Sequence, residues 1–341
     1  MTAIRAKSSW RSPAPQRGRL AELADNPFAN LGCKQLTDLL DEFNFRAHLN
    51  AYWLRPESAI WDCIAAKSLS AHLASMESLA EIGIGNGYFS FLMLGGEFAP
   101  GFDWFHNVET EGFWSNSDIY NHDQGIGGSS WILRYPSTRL ACAVDHKSSL
   151  LKQAERLGFI DATIEHDCNY PLPRLPCKNA YSNMLYWLQD PITVMHRIGE
   201  QLPEGGQLII AFPNSSFYEA CTSYTDPAPL WKLLNRGRAN SIMWHMDLPD
   251  FERQLGARGM FDIQHFQRYL APLTLKLWDI GFRPMTVPLI KMANALSPEI
   301  RAEIKQEWCD TVAKFAPTVL ENELQRGFRH GGFNLVVLKR K

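Results

Sequence analysis

Leu79-Ala80-Glu81-Ile82-Gly83-Ile84-Gly85-Asn86-Gly87-Tyr88-Phe89-Ser90-Phe91 is the stretch on which the reading of this chain turns. Leu79 to Ile84 is a short apolar run of strand length, and Phe89 to Leu94 begins a helix. Gly83, Gly85 and Gly87 stand at alternate positions between them. Lacking side chains, they let the backbone turn tightly and let a ligand approach it closely.

The same rhythm continues downstream. Leu140 to Val144 reads as a second strand, followed by a helix from Ser148 to Leu157. Ala162 to Glu165, Ala180 to Met184 and Gln207 to Phe212 supply three more strands. Pro191 to Leu202 reads as a helix, stopped by Pro203-Glu204-Gly205-Gly206. Strands alternating with helices imply a parallel sheet covered on both faces. Phe261 to Tyr269 and Phe333 to Leu338 are expected as two late strands.

Two acids give the glycine turn chemical meaning. Asp145 closes the second strand and Asp167 the third. In an open parallel sheet the carboxyl ends of the strands line one crevice, where ligands bind. A carboxylate at the second strand end can accept both hydroxyls of a ribose, and one at the third can accept the exocyclic amine of adenine. A dinucleotide turn needs G-x-G-x-x-G to seat a pyrophosphate on the helix N-terminus. Here the pattern is G-x-G-x-G, with Tyr88 at the place of the third glycine. Glu81, just before the turn, repels a pyrophosphate and suits a sulfonium or ammonium group.

With these residues the chain resembles the class I S-adenosylmethionine-dependent methyltransferases, particularly their small-molecule group. Glu81 to Gly87 resembles the first motif of that family, and Ala143-Val144-Asp145 its ribose-binding acid. His166-Asp167-Cys168 with Leu172-Pro173 is similar to the adenine-binding segment, and Ser182 to Leu188 to the segment facing the active site. Leu202 to Leu208 resembles the turn into the fifth strand. The likeness covers roughly residues 76 to 215 and resumes at the final strands (a motif-based reading).

The resemblance implies a Rossmann-like α/β fold: a mostly parallel seven-stranded sheet, helices on both faces and an antiparallel last strand. It implies S-adenosyl-L-methionine as cofactor, held by Glu81, Gly83, Gly85, Asn86, Gly87, Asp145, His146, Asp167, Cys168 and Asn183. An N-terminal helix commonly covers the cofactor in that family, which would bring Tyr52 or Arg55 to the methionyl carboxylate. Tyr186, Trp187, His122, Trp278 and Arg283 are the candidate acceptor-binding residues. His146 is the one candidate base; a solvated or backbone-bonded histidine is the competing reading. Trp278 and Arg283 also read as core and ion pair.

The domain plan follows. Residues 1–19 are a basic tail expected to be disordered, 20–75 a helical cover with Pro56 starting a helix, and 76–341 the methyltransferase domain. That domain carries insertions at 95–138 and 270–330. The first is rich in Gly, Asn, Asp and aromatics, including Trp104, Phe105, His106, Trp114 and Tyr120. It reads either as a substrate lid or as a loop packing through its aromatics. In the second, Ser297-Pro298-Glu299 starts a helix whose stripe of Ile300, Ile304, Trp308, Val312, Phe315 and Val319 is expected to face the core.

Composition narrows the partners. Among 341 residues, 34 Lys and Arg nearly balance 36 Asp and Glu, which speaks against a nucleic-acid partner. The seven cysteines are scattered without a CxxC pair, favouring reduced thiols in the cytoplasm and neither a disulfide frame nor a metal site. No apolar run approaches the roughly 20 residues of a membrane span. The expected activity is methyl transfer to a hydroxyl or amine of a small-molecule acceptor, a sugar or glycosylated intermediate being among the candidates. A sensor of S-adenosylmethionine without catalysis, and a methyltransferase for macromolecules, are the alternatives.

Overall fold

The computed structural model describes residues 36–74, 76–110, 129–226, 228–231, 242 and 244–341. The tail at 1–19, the start of the cover, the middle of the first insertion and the candidate His122 lie outside them.

One seven-stranded sheet organises the chain. Its strands are β1 (Leu79–Ile82), β4 (Leu140–Asp145), β5 (Thr163–Glu165), β6 (Asn179–Ser182), β7 (Gln207–Pro213), β8 (Phe261–Tyr269) and β9 (Phe333–Arg340). They lie in the order β5-β4-β1-β6-β7-β9-β8. The first five are parallel, and β9 runs antiparallel to both β7 and β8. This is the Rossmann-like, mostly parallel arrangement that the sequence implies, with the antiparallel strand at the expected residues. A separate two-stranded ribbon pairs β2 (Glu97–Phe98) with β3 (Ile132–Arg134) inside the first insertion.

The period-two alternation of each strand divides the core into two halves. Leu79, Ala143, Tyr181, Ile209, Leu335 and Val337 face one side. Ala80, Ile82, Val144, Ile210, Phe212, Val336 and Leu338 face the other. That second face is closed by α6 (Pro191–Gln201), through Val194, Met195 and Ile198, and by Phe251 and Leu255 of the helix Leu248–Gly256. Burial of each such side chain contributes about 1.5–3 kcal/mol.

The first face receives the N-terminal helices α1 (Leu36–Glu42), α2 (Phe45–Ala51) and α3 (Pro56–Leu73). Pro56 opens α3, as its fixed φ and missing N–H suit the first helical position. The helix is buried on nearly every side, its small residues Ala59, Ala65, Ala66 and Ser68 included. It is part of the main core. The antiparallel strand end Phe333 touches Trp61 of α3 at 5.0 Å between ring centroids, so α3 begins at the carboxyl ends of the parallel strands.

Both insertions are knitted into this face. Phe98, Phe102, Trp104, Phe105 and Val108 are buried, with Phe98 stacked on Phe102 at 4.0 Å. This part of the first insertion therefore packs through its aromatics. The second insertion ends in the 33-residue helix Pro298–His330. Ser297 caps it, accepting from the Ile300 amide at 3.4 Å. Val312 and Val319 of the expected stripe are buried, but Ile300, Ile304 and Phe315 are exposed. At that end the buried face is instead basic. Arg301 donates to Asp103 at 2.5 Å, and Lys305 donates to Asn50 Oδ1 at 2.6 Å. These contacts turn the first two turns of the helix away from the orientation that apolar periodicity alone implies. Among the described residues no helix is long and apolar enough to cross a membrane.

Candidate functional site

The turn after β1 holds three glycines with positive φ: +81° at Gly83, +60° at Gly85 and +78° at Gly87. Residues with a Cβ pay for that conformation with steric strain. The three also differ in surroundings. A Cβ at Gly83 would lie 2.1 Å from Met184 Cγ, and one at Gly87 would lie 3.0 Å from Ala154 Cβ on α5 (Ser148–Arg156). At Gly85 nothing stands within 4 Å, so the middle of the turn faces open space.

Asp145 reaches this turn directly. Its Oδ2 accepts from the Gly85 amide at 2.8 Å, and its Oδ1 from the Lys147 amide at 2.9 Å. The Gly83 amide donates to the Val144 carbonyl at 2.7 Å, continuing the ladder between β1 and β4 into the turn. The side chain of His146 is 55 % exposed, with Nδ1 3.4 Å from Asp145 Oδ1. Next in the row, the His166 amide donates to the Asp145 carbonyl at 2.9 Å. Asp167 accepts at Oδ1 from the amide and the side chain of Asn169 at 2.9 and 3.0 Å. Cys168 is buried between these acids; burial, Asp145 and Asp167 together push its thiol up to about 12. Asp145 and the segment 166–169 thus line one edge beside the glycines.

Two further residues complete that edge. Asn86 is buried; its Oδ1 accepts from the Tyr88 amide at 3.3 Å, while its Nδ2 has no partner. Asn183 is half-buried at the end of β6, just before Met184.

Glu81 is held differently from the sequence expectation. Its Oε2 lies 2.5 Å from the Tyr181 hydroxyl and its Oε1 2.7 Å from the Ser90 hydroxyl, and those two hydroxyls are 2.7 Å apart. Three contacts among three groups need three protons, so a neutral Glu81 closes the ring and an ionised one leaves one contact without a hydrogen. Burial accordingly pushes Glu81 up to about 7, against the hydrogen bonds from Tyr181 and Ser90. The carboxyl ties β1, β6 and α4 (Tyr88–Met93) together inside the core. Ser90 and Tyr181 were not singled out from sequence. The available signal was a lone acid in an apolar strand, which needs buried donors.

The candidates for the acceptor side gather at the carboxyl ends of β6 and β7. Tyr186 follows β6 and packs on Phe333 at 5.5 Å; Phe333 is paired with Pro213, the last residue of β7. Trp278 packs on Trp61 at 4.8 Å and stacks with Tyr224 at 6.1 Å. The Arg283 guanidinium lies 4.4 Å from the Trp278 ring centroid. Of the two residues expected at the methionyl carboxylate, Arg55 is buried and donates to Glu57 Oε1 at 3.2 Å, while Tyr52 packs edge-on against Trp104 at 6.4 Å. Trp187 is exposed. Glu57 and Asp62, which sequence reading passed over, join this group from α3. Burial pushes Asp62 up to about 7, opposed by Arg55 and reinforced by Glu57. Their signal was two acids in the first turns of an otherwise apolar helix.

A cavity of about 510 Å³ lies elsewhere, between α2, the ribbon β2–β3 and the helix Pro298–His330. Asn50, Asp103, Arg301 and Lys305 line it; no residue of the glycine turn does. Among the described residues no group of His, Cys, Asp and Glu has the arrangement of a metal site.

No family model and no curated protein matches the chain. Solved structures with similar folds include an S-adenosylmethionine-dependent methyltransferase from Mesorhizobium loti, at 14% identity and TM-score 0.42, covering 81% of this chain and 98% of that one. A methyltransferase from Thiobacillus denitrificans in complex with S-adenosyl-L-homocysteine is 13% identical, TM-score 0.41, with 81% and 90% covered. The cyclase SpnF is 10% identical, TM-score 0.42, with 83% and 80% covered. The architecture itself, read from this chain's own strand order and antiparallel β9, is that of the class I methyltransferase fold.

Proposed function

We propose that the chain is an S-adenosylmethionine-dependent methyltransferase acting on a small molecule. The observation that carries the reading is the meeting of Asp145 with the amide of Gly85, at a turn whose open centre a side chain would fill. The residues present suit the cofactor. Asp145 retains lone pairs for ribose hydroxyls beyond the two amides it accepts, Asp167 and Cys168 are the residues we assign to the adenine, and Asn86 Nδ2 is a buried donor without a partner.

When bound, S-adenosylmethionine supplies an electrophilic methyl group on a good leaving group, so the protein's share is alignment and exclusion of water, with a base where the acceptor must lose a proton. Tyr186, Trp278 and the α3 acids are the side chains placed for the acceptor. Asp62, half-buried and pushed up to about 7 by burial, is a second candidate to take a proton beside the exposed His146. Calorimetric titration with S-adenosylhomocysteine, followed by transfer of labelled methyl from S-adenosylmethionine into a metabolite extract, tests the reading. Saturable binding and labelled product are expected. Binding of NAD or NADP with none of S-adenosylhomocysteine overturns it, and tight binding without any labelled product favours a sensor.

A further inference from the structure

Arg283 is 5% exposed, yet neither its Nη1 nor its Nη2 has a hydrogen-bond partner. A buried guanidinium is seldom left in that condition, because its lost hydration must be replaced. The stacking on Trp278 fixes the plane of the group and uses none of its N–H donors. The acid nearest in sequence, Asp279, is already engaged: its two oxygens hold the amide and the hydroxyl of Ser223.

Other groups around it are unsatisfied as well. Glu57 is buried, pairs with Arg55 through Oε1 and leaves Oε2 without a partner. Arg283 acts on Glu57 electrostatically, yet Glu57 is ion-paired only with Arg55 among the described residues. The Tyr269 hydroxyl, which senses Tyr186 and Asp62, is buried and has no partner either. A guanidinium and a carboxyl that act on each other thus keep open hydrogen-bonding atoms, with the unpartnered Tyr269 phenol joined to them through Phe333, Trp61 and Trp278. This group lies at the carboxyl ends of β6 and β7, beside the strand end that carries the glycine turn.

We infer that Arg283 seats a carboxylate carried by the methyl acceptor, with Trp278 holding the guanidinium plane. The two open Nη groups match the two oxygens of a carboxylate. Among the described residues the charged groups here are Glu57, Asp62 and Asp279 with Arg55 and Arg283. With burial pushing Glu57 and Asp62 toward their neutral forms, the two guanidiniums outweigh Asp279 by one charge, which a monoanion balances and a phosphate dianion exceeds. Burial raises Glu57 toward its neutral form, in which its free oxygen can donate to the same carboxylate. The inference rests on the proposed methyltransferase reading, because that reading makes the occupant of this place the acceptor.

The test uses the full chain saturated with S-adenosylhomocysteine and titrates benzoate against benzamide, its uncharged isostere, reading tryptophan fluorescence. Benzoate is expected to bind at least about tenfold more tightly than benzamide. In Arg283→Lys, which keeps the charge but not the planar fork, the preference should shrink. In Arg283→Met it should vanish while S-adenosylhomocysteine affinity stays unchanged. Equal binding of acid and amide, no binding of the acid, or an unaltered preference in Arg283→Met overturns the inference. The comparison in the unmodified protein decides even where a variant does not fold. Failure of S-adenosylhomocysteine to bind strikes the proposed function instead; lack of a preference with S-adenosylhomocysteine bound strikes this inference alone.

Discussion

The Gly85 amide and the Asp145 carboxylate meet at 2.8 Å across 60 residues of sequence. The bond makes the turn after β1 and the end of β4 one unit. Asp145 therefore holds the turn, and under the proposed function it also receives the ribose.

Asp145→Ala should weaken S-adenosylhomocysteine binding by about ten- to a hundredfold, the effect of losing charge-assisted hydrogen bonds. Because the Gly85 and Lys147 amides also lose their acceptor, the melting temperature should fall too. Asp145→Asn keeps one acceptor oxygen and should fall between. Unchanged affinity in the alanine variant, measured by calorimetry, places the ribose elsewhere.

The glycines should separate folding from binding. Gly83→Ala drives a Cβ to 2.1 Å from Met184 Cγ and should be clearly destabilised, with part of the loss recovered in the double variant with Met184→Ala. Gly85→Val meets only open space, so the sheet should survive while cofactor binding fails. Thermal melts and titrations on the same preparations check both. Normal cofactor binding in Gly85→Val moves the site away from this turn.

The Glu81 ring gives a pH signature. Its carboxyl is raised from 4.5 to about 7 on folding, so the native state holds a proton that the unfolded chain has released over that interval. Stability from this group is full below about pH 4.5 and declines as pH rises through 7, by about 3 kcal/mol in all. A glutamine side chain imitates the neutral acid, its amide N–H replacing the carboxyl O–H in the ring. Glu81→Gln should thus flatten the decline in urea unfolding between pH 5 and pH 7.5 (about the span of that titration). An identical slope in both proteins shows Glu81 to be ionised throughout.

Arg301→Ala removes the ion-pair partner of Asp103, a nearly buried pair, leaving its carboxylate to the Trp53 indole, the Phe105 amide and the more distant Lys305 charge. A loss of about 3–5 kcal/mol in unfolding free energy is expected. Replacing both partners by apolar residues should recover much of it. A loss within about 0.5 kcal/mol means the pair is solvated, as surface pairs are.

The strand positions and the glycine turn were legible in sequence because both leave local marks: short apolar runs at regular intervals, and glycines where φ turns positive; the antiparallel strand came from the family resemblance. Asp145 was legible for the same reason, standing at a strand end. What remained hidden depends on distant partners. Ser90 and Tyr181 matter only because β6 lies beside β1 and brings Tyr181 to Glu81. The orphaned atoms of Glu57, Tyr269 and Arg283 come from three segments that sequence proximity does not join. In the helix Pro298–His330, apolar spacing pointed to Ile300 and Ile304, but Asp103 and Asn50 pull Arg301 and Lys305 inward instead.

The clasp of Lys305 on Asn50 has a consequence for how the chain is made. The two are 255 residues apart, as are Trp308 and the Trp53 carbonyl to which its indole donates. During translation the amino-terminal helices leave the ribosome long before either partner has been synthesised. For that interval α2 and α3, whose surfaces are destined for burial, stay partly uncovered and invite aggregation or chaperone binding. Nascent chains halted before residue 298 should therefore be protease-sensitive around Trp53, and protection should arrive only with the last helix.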